Sequence, residues 1–438
     1  MDKRAFLPAL AALFCACGPG TNAQSTPHET GSGGSSATAG TGGGSATAGT
    51  GGAATAGTSG SAGTTAAAGT AGAASSGGSG NGGSAGAAPH VVVSCDQVEV
   101  GKWEEITPPE MVATERWQAK NDGYGVHAIA IDPINTANVL LGSDKMGDYR
   151  TTDCGATWKH LNTGRGGAEM DGGVGWTWAI DPYDSDTFYG VSGYGTMGVF
   201  KTTNAGDDWD QVLPADRKLY FVSNGFTQHV RADPTTSGHF VASPHFYCEN
   251  GHGGYCFLET TDGGSSWNVI DNKLSDGSNL PGDEGTRLYV ENHDRWFVGQ
   301  SGLYRTDNAG QNWIKVPTIN NYAYEVHHRP GGKYYVPTDF KVAESEDGIT
   351  WTVLDNAPYA TIVTTSETRI YAMSAIFCGD PSDHNLASAP IDDPTNWTFD
   401  ASYPSKGPAN FQSMQYDVDH NILYVSSCFG GLWRLRTE

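Results

Sequence analysis

Between Val126 and the carboxyl terminus the chain alternates short apolar runs with turn-rich polar stretches, and no run keeps a helical period for long. The runs fall into a repeating order. One type ends in Asp-Pro: Val126-His127-Ala128-Ile129-Ala130-Ile131-Asp132-Pro133, then Trp176-Thr177-Trp178-Ala179-Ile180-Asp181-Pro182, then His229-Val230-Arg231-Ala232-Asp233-Pro234. Asp-Pro favours a turn, and it leads into a second run such as Val139-Leu140-Leu141-Gly142. A third run is aromatic, as in Val199-Phe200-Lys201 and Leu303-Tyr304-Arg305, and a fourth begins with tryptophan, as in Trp313-Ile314-Lys315-Val316. The order predicts four antiparallel strands per unit.

An eight-residue segment joins the third and fourth runs. It reads Thr/Ser, any, Asp/Asn, any, Gly, any, Ser/Thr/Asn/Asp, Trp. Copies run from Thr151 to Trp158, Thr202 to Trp209, Thr260 to Trp267, Thr306 to Trp313 and Glu344 to Trp351, with a decayed copy from Pro390 to Trp397 in which Pro394 replaces the glycine. An Asp or Asn side chain can accept backbone N–H groups inside a turn, and glycine supplies a positive φ. The tryptophans give six units. The chain ends in Gly431-Leu432-Trp433-Arg434-Leu435, a third strand with no fourth, while Gly101-Lys102-Trp103-Glu104-Glu105-Ile106 is a fourth strand with no unit of its own. The expected fold is therefore all-β: a single seven-bladed β-propeller of four-stranded antiparallel blades, closed by the N-terminal strand. Closure removes exposed sheet edges.

The octads resemble the Asp-box (BNR) repeats of sialidase-like propellers, a superfamily that includes sialidases, xyloglucan-type hydrolases, sortilin-like receptors and photosystem assembly factors. The resemblance implies the fold. It is quiet on function, because Asp boxes lie on turns away from the active face.

The amino terminus predicts a different address from that of a cytosolic protein. Lys3 and Arg4 precede an apolar stretch from Ala5 to Ala16, too short to span a bilayer, as in a secretory signal. The run Phe14-Cys15-Ala16-Cys17-Gly18 resembles a lipoprotein processing site, with Cys17 as lipid acceptor and Cys15 as its rival. Residues 18–90 are almost wholly Gly, Ser, Ala and Thr, a composition that cannot bury enough apolar surface to order itself. The expected organisation is residues 1–17 as signal, 18–90 as tether with a span of about 45–50 Å, and 91–438 as the propeller. The expected localisation is export, with a lipid anchor at the bacterial outer membrane or cell surface as the sole membrane contact.

Two features of composition narrow the partners. The formal net charge is −23, and the charged residues of 1–90 cancel, so all of it belongs to the propeller. Such a surface repels nucleic acid and anionic lipid. The expected partner is a glycan or a protein ligand, and the chain is expected to be monomeric. Six cysteines lie beyond the signal, an even number in an exported protein. The blade layout predicts Cys95–Cys154, Cys248–Cys256 and Cys378–Cys428.

Octads define one face of the ring, so chemistry is expected on the other, at loops entering first strands and loops between second and third strands. His127, Trp176, Trp178, His229 and His327 sit on or at first strands, and His245 and Tyr247 follow a second strand. These are the candidate ligand-binding residues. Ser143-Asp144-Lys145-Met146-Gly147-Asp148-Tyr149-Arg150 resembles the Thr-Asp-x-Gly-Gly-x-Tyr-Arg segment of xyloglucan-type, two-propeller glycoside hydrolases, which implies a catalytic base at Asp144. Asp339 holds the same blade position four blades on, and Glu169 or Asp171 could substitute. Glycosidic cleavage needs two carboxyl groups at a set separation. That family places its cleft between two propellers, whereas this chain encodes one. The expected function is to bind or hydrolyse glycan at this loop face; a non-catalytic protein-binding or assembly-factor propeller is the alternative, and a His–Tyr polysaccharide lyase a second. No cofactor is expected. An acidic loop is compatible with calcium.

Overall fold

The computed structural model describes residues 92–119, 125–213, 227–245, 256–270, 272–281, 287–338, 341–374, 386–403, 411–427 and 430–438. They form seven four-stranded antiparallel sheets. Blade 1 consists of Val126–Ile131, Val139–Ser143, Tyr149–Thr151 and Lys159–His160. Blade 2 consists of Val174–Asp181, Asp184–Gly193, Val199–Thr202 and Asp210–Leu213. Blade 3 runs from Thr227–Ala232 to Asn268–Ile270, blade 4 from Arg287–Val290 to Ile314–Lys315, blade 5 from His327–His328 to Trp351–Val353, and blade 6 from Ile362–Thr365 to Thr398–Phe399. Blade 7 takes Phe411–Asp417, Ile422–Ser427 and Gly431–Arg436 from the carboxyl terminus and Trp103–Glu105 from the amino end. Trp103 pairs with Leu435 and Glu105 with Trp433, so the ring closes as the sequence predicts.

Each blade is a thin sheet buried on both faces by its neighbours. Second strands such as Val139–Ser143, Trp296–Gln300 and Tyr334–Thr338 are therefore buried at every residue, and their side chains do not alternate in character. First strands of blades 6, 7, 1, 2, 3 and 4 pack on one another in that order.

The octads are the predicted turns. Thr151 Oγ1 donates to Asp153 Oδ1 (2.7 Å) and accepts from Gly155 N–H (2.8 Å), while Asp153 Oδ1 accepts from Thr157 N–H (2.8 Å). The same three bonds recur at Thr202/Asn204, Thr260/Asp262 and Thr306/Asn308. Glycine is required at the fifth position twice over. Gly155 has φ +94°, and a Cβ there would lie 2.5 Å from Ile106 Cδ1 on the preceding blade. The fifth copy departs from the octad register. Ser345 and Asp347, not Glu344 and Glu346, make its turn bonds, which gives a turn one residue shorter. Trp158 and Trp267 each donate Nε1–H to a carbonyl of the preceding blade's edge, Ile106 and Val212.

Cys95 and Cys154 form a disulfide with Cα atoms 5.2 Å apart, joining the amino-terminal segment to blade 1. Cys256 is disulfide-bonded as well. Its expected partner Cys248, together with Cys378, Cys428 and Cys17, lies outside the described residues.

Candidate functional site at the mouth of blades 1 to 3

On the face opposite the octads, the first strands of blades 1, 2 and 3, like that of blade 7, are irregular. The register slips between Val126 and Ala128 in blade 1, between Gly175 and Trp178 in blade 2, and between Thr227 and His229 in blade 3. The residues inside these bulges are His127, Trp176 with Thr177, and Gln228. A bulge re-aims side chains and occurs often beside functional sites. Here it turns His127 edge-on to Trp176, with ring centroids 4.1 Å apart. Trp176 also stacks toward His245 (6.2 Å, 27°) and lies 6.2 Å from Tyr194. Tyr194 O–H lies 3.4 Å from His245 Nε2, and His245 Nδ1 lies 3.2 Å from Gln228 Oε1.

Tyr194 is 42% exposed and has φ +54°, a left-handed conformation that is unusual for so bulky a residue. Strain of this kind, on the order of 1 kcal/mol or more, clusters at ligand sites. The cluster thus has a buried base, His127 and His245, and a solvent-facing rim, Trp176 and Tyr194. Burial, reinforced by Arg287, pushes the His245 imidazole down to about 4. Burial, then Arg231 and Arg287, pushes His229 well below its usual value, and neither of its ring nitrogens has a hydrogen-bond partner among the described residues. These imidazoles are uncharged at neutral pH. Their ring nitrogens are available as hydrogen-bonding groups.

The candidate carboxylates gather just behind this mouth. Asp144 bridges Val174, two residues from Trp176. Its side chain is 2% exposed, and Arg116 Nη2 lies 2.6 Å from its Oδ2. Arg116 comes from the short helix Glu115–Ala119, in the connection between the Trp103 strand and blade 1. Asp148 is buried, accepting from Asn162 Nδ2 (3.0 Å) and Ser143 N–H (3.3 Å). Burial, then Asp171, raises its carboxyl to about 7. Asp171 accepts from the same Asn162 Nδ2 at 2.6 Å and pairs with His160 at 3.2 Å, which raises the imidazole. Asp148 and Asp171 therefore form a carboxyl pair bridged by one amide, with the buried Asp148 on the inside.

The sequence candidates separate into groups. His127, Trp176 and His245 come together at the mouth, with His229 electrostatically coupled to His127 and His245. Asp144 and Asp171 lie in the carboxylate layer, while Glu169 is exposed on the helix Gly167–Asp171. Trp178 packs with Phe188 and Trp209 in the core between blades 1 and 2. His327 lies on blade 5, its Nε2 2.9 Å from Thr365 Oγ1 of blade 6, and burial lowers it to about 4. Asp339 and Tyr247 lie outside the described residues. Sequence reasoning missed Arg116, Asp148, Tyr194 and Gln228.

No family model and no curated protein sequence matches the chain. Solved structures match it as a fold. The GH74 xyloglucanase from Xanthomonas campestris superposes with a TM-score of 0.55 at 15% identity, covering 76% of this chain and 53% of that one. YCF48 bound to D1 peptide gives 0.55 at 14% identity, covering 78% and 99%. The Cps50 (Swd1) propeller domain of Myceliophteria thermophila gives 0.51 at 9%, covering 73% and 98%. The fold is shared with a glycoside hydrolase and with propellers of other kinds. The chain spans about half the length of the xyloglucanase and nearly all of YCF48.

Proposed function

We propose that this chain is an exported, lipid-anchored propeller that binds glycan at the mouth of blades 1 to 3. The observation that carries this reading is the bulge-aimed cluster of His127, Trp176, Tyr194 and His245, buried below and open above. Sugar rings present apolar faces and hydroxyl edges. An indole and a phenol ring supply stacking surface, and Gln228 with the neutral His245 imidazole supplies directed hydrogen bonds. The xyloglucanase likeness in fold is consistent with a carbohydrate ligand.

Binding is favoured over hydrolysis by the state of Asp144. A hydrolase must present an acid and a second carboxyl to the sugar. Asp144 instead faces Arg116, and its side chain is 2% exposed. A second reading, a protein-binding propeller, is supported by length: YCF48, whose structure is bound to D1 peptide, matches over 99% of its chain.

The discriminating experiment measures reducing-end release from a polysaccharide panel by the wild type, Asp144→Asn and Asp339→Asn. The binding reading predicts saturable retention without release. Release that either substitution abolishes establishes hydrolysis. Retention of no polysaccharide shifts the weight to a protein ligand. The address is tested by labelled fatty-acid incorporation, expected in the wild type and lost in Cys17→Ser.

A further inference from the structure

On the octad face, at the boundary of blades 3 and 4, lies a histidine that the ligand site does not use. His239 precedes the second strand of blade 3 and its side chain is 0% exposed. Its Nδ1 lies 2.8 Å from Asp233 Oδ2 and its Nε2 3.0 Å from Glu259 Oε1. From the first turn of blade 4, the ring of His293 lies 4.9 Å from the His239 ring. His293 Nδ1 is 2.9 Å from Asp294 Oδ1. One donor atom from each of His239, Glu259 and His293 lies within 4.8 Å of the other two.

Three features set this cluster apart from an ordinary buried ion pair. Each imidazole has Nδ1 against a carboxylate, the arrangement that fixes the tautomer and raises the basicity of a metal-bound histidine. Three side chains then offer two nitrogens and one carboxylate, a donor set suited to zinc. His293 is 52% exposed on its side chain, so the cluster opens to solvent on one side, where ions and water have access.

We propose that His239, Glu259 and His293 bind a divalent transition metal of the zinc class, with Asp233 and Asp294 orienting the two imidazoles. Zinc bonds of about 2.0–2.2 Å place tetrahedral donors roughly 3.3 Å apart. The His239–Glu259 pair already has that spacing, and His293, on an exposed turn, closes the third side by side-chain rotation. Water completes the fourth position. A metal on Nε2 takes the place of the proton on that nitrogen. Ligands from two blades make the ion a staple across their boundary. Magnesium and calcium prefer all-oxygen shells and bind poorly to this set.

The test is isothermal titration of Zn2+ into the purified chain, prepared metal-free and without a histidine tag, beside His293→Ala and Glu259→Gln and with Ca2+ as comparator. One Zn2+ per chain is expected, with affinity at least about ten-fold weaker in His293→Ala. Circular dichroism of His293→Ala should be unchanged, because the side chain is half exposed, so a folding failure of Glu259→Gln leaves the test intact. The proposal is overturned if no saturable Zn2+ binding occurs, if His293→Ala binds as the wild type does, or if Ca2+ binds equally well.

Discussion

Arg434 is the residue on which ring closure turns. It lies on the third strand of blade 7 with no exposed surface. Its Nε and Nη2 donate to Glu104 Oε2 at 3.1 and 2.7 Å, its Nη1 to the Cys154 carbonyl at 2.6 Å, and Nη2 also to the Val93 carbonyl at 2.5 Å. One guanidinium thus joins the carboxyl-terminal strand, the amino-terminal strand, the segment before it and the octad of blade 1. Arg434→Met keeps much of the volume and removes every donor. Glu104 is then a buried charge without its partner, at a cost of about 3–5 kcal/mol. The Val93 carbonyl loses its donor for about 1 kcal/mol more, while the Cys154 carbonyl keeps Tyr424 O–H at 3.3 Å. The sum is about 5 kcal/mol. With a urea slope of about 3 kcal/mol/M the midpoint falls by about 1.5 M. Arg434→Met/Glu104→Met should recover most of this, because replacing a whole buried pair by apolar groups is close to neutral. Urea unfolding followed by tryptophan fluorescence reads both variants. A single variant that loses less than about 1 kcal/mol, or a double variant no better than the single, refutes the reasoning.

Asp148 has a folded pKa of about 7 against an ordinary 3.8, so the folded state holds the extra proton and wild-type stability falls as pH rises between those values. Asp148→Asn removes that slope and should be the more stable protein at pH 8, by at most about 4 kcal/mol, with the gain vanishing toward pH 4; thermal melts across that range check it, and a pH-independent difference contradicts it. Replacing Cys95 and Cys154 together by serine opens a loop spanning a separation of 59 residues, which should cost about 4 kcal/mol in chain entropy, read as a matching loss in the unfolding free energy.

The fold was legible because its signals are local. Four octads write their turn bonds in the residues themselves, and the orphan strands around Trp103 and Leu435 can satisfy their edges only by pairing. The fifth octad misled by one residue because Glu346 has the right charge in the wrong place, while the shorter Asp347 reaches the turn amides. The site was less legible. Trp176 and Trp178 stand two apart, and period-2 reasoning puts them on one face. The bulge between Gly175 and Trp178 breaks that period, sending Trp176 to the mouth and Trp178 into the core. No sequence pattern marked Arg116 either. It lies in a connection with no periodicity, and its pairing with Asp144 depends on a tertiary approach. Asp148 was in view within the Asp144 segment, but its raised pKa comes from burial and from Asp171, both set by packing.

The central claim is that ligand binds on the aromatic rim, and affinity electrophoresis against a polysaccharide panel with Trp176→Ala beside the wild type tests it most directly. Losing one stacked ring in a polar, half-exposed site removes about 1–3 kcal/mol of contact, so retention by the binding polysaccharide should weaken at least about five-fold, with the thermal midpoint little changed. Equal retention of the two proteins contradicts the account.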